Sequence, residues 1–217
     1  MLFAGILNPG DAYGTVTEVV ALDCEYDADM DTNLKMPCKV TIVNAQGHII
    51  LDTLISQLNA DGTRKSLRRE VGIHGICSEV LEGAPTLEEV KAHIFSLLPR
   101  EKTMMVGHSI KNDLLVLEFT NYYFFDTSIF LDKKQPRSLK DCLADYLNAE
   151  VQAESGTHSS VIDARSTLAL LHYFNEQVHL GKHLIDGQPL PESMSSINFI
   201  LEQRGELFTE RDLEISL

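Results

Sequence analysis

The chain predicts an α/β fold, a mixed five-stranded sheet flanked by helices, and three features of the sequence predict it. Apolar runs short enough for buried strands come first, and later ones alternate with segments of helical period. Asn44-Ala45-Gln46-Gly47 supplies a hairpin turn between two early runs. Thr86 and Glu89 stand three apart ahead of an apolar stripe, as a helix start requires.

The elements follow in order. Val19-Val20-Ala21-Leu22 marks a first strand over about 17–25, and strands over about 38–44 and 48–54 flank the hairpin turn. A helix opens at Thr86, completes a capping box with Glu89 and runs to Leu98, before Pro99. Thr103-Met104-Met105-Val106 lies in a strand over about 103–107, and Leu114, Leu115 and Leu117 belong to a helix over about 109–118. A strand over about 122–126 and a helix over about 138–147 come next. The last helix of the sheet-bearing part spans about 160–176, with Ser159 or Ser160 as its cap and a buried stripe at Val161, Ala164, Leu168 and Leu171. Residues 1–180 then make one domain, and residues 181–217 a C-terminal helical extension of it. Within that extension, the stretch through Pro189 and Pro191 reads as a linker and Ser193 to Glu214 as one or two short helices.

With 217 residues, 44% of them hydrophobic, the chain can bury a full core without disulfides. Cys24, Cys38, Cys77 and Cys142 are scattered without C-x-x-C pairing, which points to reduced thiols and to neither a zinc site nor a disulfide scaffold. No apolar run approaches the roughly 18 residues of a membrane span, and Met1 to Leu7 carries no basic leader. A soluble, intracellular protein is the expectation, with nucleus and cytoplasm equally open.

Three islands carry the chemistry. Asp23 and Glu25, two apart at the end of an apolar run, point to the same side of a strand. Burying two like charges together is costly unless a cation lies between them, and hard oxygen ligands suit magnesium or manganese. On its own the pair also reads as a polar strand end running into Asp27, Asp29 and Asp31. Asp113 lies near the start of a helix, where a carboxylate would equally serve the helix dipole. The third island is harder to explain structurally, because His158 precedes Asp163 by five residues and so lies in a loop while Asp163 projects from the first turns of the helix. An imidazole suited to proton transfer then stands beside a carboxylate suited to a metal.

The islands and the blocks around them, ALDCE, CKVTIVNAQGHIILDTLI, VGHSIKND, the DTS of Asp126 to Ser128, SLKDCLADYL and GTHSSVIDARSTLALLHYF, resemble the DEDD superfamily of 3′-to-5′ exonucleases in its DEDDh branch. More narrowly they resemble the Rex family of eukaryotic RNA exonucleases and their interferon-stimulated relative, over roughly residues 17–176. The resemblance implies a ribonuclease H-like fold and a site of Asp23, Glu25, Asp113, His158 and Asp163 that releases nucleoside 5′-monophosphates from single-stranded nucleic acid, RNA preferred. It also implies two cations, Mg2+ or Mn2+, about 3.5 to 4 Å apart. Asp23 would bridge them, Glu25 and Asp163 would hold the one nearer the water nucleophile, Asp113 would hold the other, and His158 would be the general base. Tyr26 and Ile76 are candidates for contact with the terminal base or sugar, or for ordinary packing, and His108 and Asn112 complete that set. The chain departs from the family at His74, where a small residue is usual, and at Ile162, where an acidic residue is usual.

Charge is the main objection to this reading. A net charge of −14 is unlike broad duplex binders, which are basic, although an end-binding enzyme holds few nucleotides and its cations reverse the local sign. Arg64, Lys65, Arg68 and Arg69 form either a solvated face or a track for the incoming backbone, and Lys133, Lys134, Arg137 and Lys140 are equally ambiguous. Two other readings stay open: a DNA-directed or poly(A)-directed exonuclease, since the catalytic subunit of the Pan deadenylase has a similar histidine pattern, and an inactive exonuclease fold that only binds nucleic acid.

Overall fold

The structure is a computed structural model that describes residues 18–30, 32–58, 62–63, 65–68, 71–119, 122–130, 137–149 and 157–179. The extension after Gly181, Arg64, Arg69, Lys133 and Lys134 lie outside the described residues. One mixed sheet of six strands organises them, in the order β3-β2-β1-β5-β6 with β4 beside β1. The strands are β1 (Glu18–Asp29), β2 (Lys35–Asn44), β3 (Ile49–Leu54), β4 (Leu67–Arg68), β5 (Thr103–Gly107) and β6 (Tyr123–Asp126). β1, β2 and β3 pair antiparallel, whereas β1, β5 and β6 run parallel.

All five expected strands are present, and the sixth is the two-residue β4, paired through Ala28 with Arg68 and Asp29 with Leu67. Two residues cannot display a period of two, so the sequence offers no sign of β4. It bears on a second difference. β1 does not end near residue 25 but continues to Asp29, because β2 accompanies it back to Lys35 and β4 joins its far end. A bulge between Glu25 and Tyr26 lets the strand bend there.

Alternation along β1 assigns the two faces. Val19 and Ala21 pack with Val43, Met104 and Val106 against Ala164, Leu168, Leu171 and Phe174 of α6 (Ser160–His179). Val20, Leu22 and Cys24 face the other way, with Met105, toward Val90 and Ile94 of α2 (Leu87–Leu97) and toward Ile110, Leu114 and Leu117 around α3 (Lys111–Val116). The remaining helices are α1 (Val71–His74), α4 (Thr127–Phe130) and α5 (Leu139–Cys142).

The helix signals map closely onto the structure. Thr86 caps α2 and forms the capping box with Glu89. Ser138 caps α5, which passes into one π-helical turn over Leu143–Leu147, so the helix expected over 138–147 is one body with a widened second half. Asn44 closes the hairpin by accepting the Gln46 and His48 N–H groups on its side chain, with Gly47 at φ +74°. In α6, Ala164, Leu168 and Leu171 are fully buried and Val161 is half-buried. None of the four cysteines is in a disulfide. Among the described residues no helix is long and apolar enough to cross a membrane.

The helix expected over 109–118 is the shorter α3. Ser109 adopts φ +61° and donates its N–H to Asp126 Oδ1 at 2.8 Å, so the chain turns sharply before helix can begin. That turn brings Ile110 onto Gly107, where a Cβ would lie only 2.6 Å from the Ile110 Cβ. Gly107→Ala is therefore expected to destabilise the protein by about 1–3 kcal/mol, as overpacking does. Urea unfolding would measure it, and an unchanged midpoint would refute the close approach.

Candidate active site

Asp23 and Glu25 leave the same face of β1 and meet Asp163 from α6, so that one carboxylate oxygen of each lies within 4.8 Å of the others. Two hydroxyls hold α6 there. Thr41 pairs with Asp23 across the sheet and donates its hydroxyl hydrogen to Asp52 Oδ1 at 2.6 Å. Its oxygen therefore accepts from Ser160 Oγ at 2.7 Å, pinning the first residue of α6 beside β1. Ser159 takes the cap role through its backbone, its carbonyl accepting the Asp163 N–H.

Asp113 arrives from the opposite side. β1 runs on past β5, whose last pairing with it is Ala21 with Val106. In that space the Cys24 N–H donates to Asp113 Oδ1 at 3.1 Å. Asp113 is 3% exposed and approaches β1 at Cys24, outside the group formed by Asp23, Glu25 and Asp163 but close enough for its charge to raise Asp23. Asp126 supports it indirectly by accepting from Ser109 N–H, Ser128 N–H and Ser128 Oγ.

The four carboxyls are held against their electrostatic preference. Burial, then the charges of Asp113, Asp163 and Glu25, push Asp23 well above the ordinary carboxylate range. Burial raises Glu25 and Asp163 as well, opposed at Asp163 by His158 and at Glu25 by His74, His158 and Lys39. Asp113 is pushed up to about 7 by burial despite the hydrogen bond from Cys24. Glu25 Oε1 is buried with no hydrogen-bond partner. An orphaned buried oxygen among raised, mutually repelling carboxyls is the donor set that hard divalent cations satisfy, so Mg2+ or Mn2+ fits the residues present.

His158 stands at the rim, its side chain 65% exposed, with Nδ1 3.3 Å from Asp163 Oδ2. Its backbone N–H donates to the Ile73 carbonyl at 2.5 Å. All five residues of the expected site are thus gathered at one end of β1.

The expected substrate contacts are distributed more unevenly. Tyr26 follows the bulge, half-buried, with the Lys35 ammonium 4.3 Å from its ring centre. Ile76 is 8% exposed and packs with Cys38 and Leu81. His108 has both ring nitrogens engaged, Nε2 donating to the Arg137 carbonyl at 2.7 Å and Nδ1 facing Thr127 Oγ1 at 2.9 Å, and burial lowers its pKa. Asn112 is exposed, 3.4 Å from the Ser109 carbonyl. Arg68 lies on β4 and contacts Asn33, while Arg69 is outside the described residues. Of the second basic group, Arg137 forms an ion pair with Asp145. Thr41, Ser160 and Asp126 were not singled out as site residues. Their only signals are that each falls in a block that carries the family resemblance and that Ser160 is a cap candidate.

Known proteins resemble this chain in sequence and in fold. No family model matches the chain. An RNA exonuclease 4 of Mycosarcoma maydis is 31% identical over 173 residues, covering 75% of this chain and 44% of that protein. One from Saccharomyces cerevisiae is 29% identical over 176 residues, covering 77% and 57%, and a human RNA exonuclease 1 homolog is 28% identical over 158 residues, covering 70% and 12%. The chain thus spans less than two thirds of these relatives. Among solved structures, the Neurospora crassa Pan2 catalytic unit superposes with a TM-score of 0.64 at 18% identity, covering 87% of this chain and 30% of that one. A Saccharomyces cerevisiae Pan2 module in complex with A7 RNA gives 0.61 at 18% identity, covering 88% and 32%. These likenesses establish the ribonuclease H-like exonuclease fold expected from the sequence.

The raised carboxyls have a measurable consequence. A carboxyl whose folded pKa lies above its unfolded value keeps protons in the fold that the unfolded chain has released, so stability falls as pH rises between the two values. For Asp113 that window runs from the usual 3.8 to about 7. In metal-free protein, Tm is expected to fall as pH is raised through this window, and Asp113→Asn to flatten the slope. Adding Mg2+ at the upper end should restore Tm by mass action. Thermal unfolding in chelator checks this, and a Tm that rises through the window would contradict it.

Proposed function

We propose that the chain, which belongs to the DEDDh exonuclease superfamily close to the Rex family of RNA exonucleases, is a 3′-to-5′ exonuclease releasing nucleoside 5′-monophosphates from single-stranded RNA. The observation that carries this reading is the meeting of Asp23, Glu25 and Asp163, with Asp113 on the other side of Asp23 and an exposed imidazole at the rim. The relatives' names support RNA as the substrate class.

Asp23, Glu25 and Asp163 would hold one Mg2+ or Mn2+, and Asp113 with Asp23 a second. When bound, the cations polarise the phosphodiester, acidify water and neutralise the leaving oxygen. The protein's own residues do the rest. The carboxylates keep those charges fixed before substrate arrives, so little reorganisation accompanies the reaction. With Nδ1 donating to Asp163, His158 presents a bare Nε2 to solvent, where it takes the proton of the attacking water. Its exposure leaves room for that water and for the terminal phosphate.

Asp23→Ala, Asp113→Ala and Asp163→Ala are each expected to abolish nearly all hydrolysis while leaving the metal-free fold intact or slightly more stable, through relief of like-charge repulsion. His158→Ala should lower kcat by roughly 100-fold to 10,000-fold with metal affinity retained, whereas Asp163→Ala should lose affinity. Turnover of labelled single-stranded RNA, DNA and poly(A), with calorimetry of metal binding, checks both and sorts the substrate class. Near-normal turnover in two of the carboxylate variants would dismiss the site, and metal lost from His158→Ala would move the proton-transfer role elsewhere.

Arg68 lies on β4, beside the end of β1 beyond Glu25, where a strand leaving the site could pass. Charge reversal at Arg68 and Arg69 should raise KM for long single-stranded RNA far more than for a dinucleotide, with kcat little changed. Equal effects on the two substrates would rule the track out.

A further inference from the structure

His74 departs from the family at a place where a small residue is usual, and it is 6% exposed with its imidazole wholly enclosed. A buried imidazole is costly unless each nitrogen is used. Here both are. The Ile76 N–H donates to Nδ1 at 3.0 Å, and a backbone N–H can only donate, so in this tautomer Nε2 carries the proton. Nε2 then donates to Asp27 Oδ1 at 3.2 Å, and Asp27 is itself 1% exposed.

Cys38 Sγ lies 4.0 Å from the same nitrogen, so Asp27, Cys38 and His74 together have the donor types of a metal site. The tautomer argues against one. A metal would need the Nε2 lone pair, and the Ile76 N–H leaves that nitrogen protonated.

The neighbours of His74 show what it does instead. Asp27 is two residues beyond Glu25 on β1, and His74 ends α1, so the hydrogen bond ties the carboxylate-bearing strand to the turn of residues 71–76. That turn holds the loop of the general base. The Ile73 carbonyl accepts the His158 N–H, and Gly75, at φ +72°, faces Thr157, whose side chain would meet a Cβ there at 3.7 Å. The His158 side chain has little else to hold it, being 65% exposed beside Asp163.

We propose that His74 is a positioning residue, which, held by Asp27, sets His158 over the metal-binding carboxylates through the Ile73 carbonyl. The inference rests on the reading of His158 as general base. Its effect runs through the backbone of residues 73 and 158, so it predicts coupling between two side chains that do not touch.

A double-mutant cycle on the full chain tests it. Turnover of a short single-stranded RNA in saturating Mn2+ is measured for the wild type, His74→Ala, His158→Ala and the double variant. Asp27→Ala, which cuts the same link from the other side, carries the cycle if His74→Ala does not fold. His74→Ala should lower kcat by up to about 100-fold, as displacement of a reacting group by about 1 Å does, with Mn2+ affinity unchanged. With His158 already alanine, the same change should cost less than about twofold more. Hydrogen exchange at the His158 amide supplies a readout without turnover: protection in the wild type, and loss of it in His74→Ala. Equal losses in both backgrounds would overturn the proposal, as would a His158 amide still protected in His74→Ala. So would stoichiometric zinc that leaves with Cys38→Ser, because a metal and Asp27 cannot share Nε2. A wild type with no nuclease activity would defeat the functional reading, and amide exchange would then decide this one alone.

Discussion

Four carboxyls crowd one end of β1, and the rest of the described structure is arranged around holding them where they repel one another. Burial raises all four, and at Asp23 the charges of the other three raise it further. In a fold selected only for stability such a cluster would be replaced by apolar residues or paired with cationic side chains. Among the described residues two lysines come near enough to help, Lys39 toward Asp23 and Glu25 and Lys35 toward Asp113, but Lys39 is already 2.9 Å from Asp52 and Lys35 lies over the Tyr26 ring. The unpaired Glu25 Oε1 shows how incomplete that help is. A bound cation would resolve the conflict, and metal affinity and apo instability would then be two faces of one arrangement.

Holding the carboxyls requires contacts between elements far apart in the chain. The Thr41 and Ser160 hydroxyls lock α6 to β2, and so aim Asp163 at Asp23 from 140 residues away. The stagger of β1 past β5 leaves Cys24 N–H available to orient Asp113. Asp126, at the end of the neighbouring parallel strand, ties down the turn from which α3 starts. His158, the proposed general base, is attached differently. Its backbone bonds to the turn after β4, which in turn is fastened by His74 to β1. Asp113 and the turn that carries the His158 loop are thus referred to the central strand, and Asp163 to its neighbour β2, each by a separate hydrogen bond. A small error in any one of them displaces one group and leaves the others in place.

How much of this could be read from the sequence depends on the range of the interaction concerned. Local signals were fully legible: the capping box at Thr86 and Glu89, the Asn44 turn, the strand runs and the order of the acidic islands. Asp23 and Glu25 were legible because carboxylates contradict the apolar run they end. The extension of β1 to Asp29 was not, because its polar alternation is stabilised only by partners at Lys35 and Arg68. Nor were Thr41 and Ser160, ordinary hydroxyl residues whose roles exist only once strand and helix meet. His74 was visible as a departure from the family, but the inward turn of its ring to Asp27 and Cys38 was not, because those partners lie 47 and 36 residues away in the chain.

The acidic character of the chain now has a physical reading. Among the described cations, Lys39 faces Asp52, Lys91 bridges Glu88 and Glu118, and Arg137 pairs with Asp145. With a net charge of −14, most of the surface repels a polyanion. In the proposed function, attraction would therefore come from the carboxylate pocket once cations are bound, with local help from Tyr26, Lys35 and the Arg68 strand. Because counterion release scales with the number of phosphates neutralised, a nuclease built this way would hold only the terminal few nucleotides tightly. That suits an enzyme working from a chain end, for which grip along the body of the strand would slow the advance to the next phosphodiester. The same negative charge that argues against a nucleic-acid partner in general is compatible with one that is met only at its end.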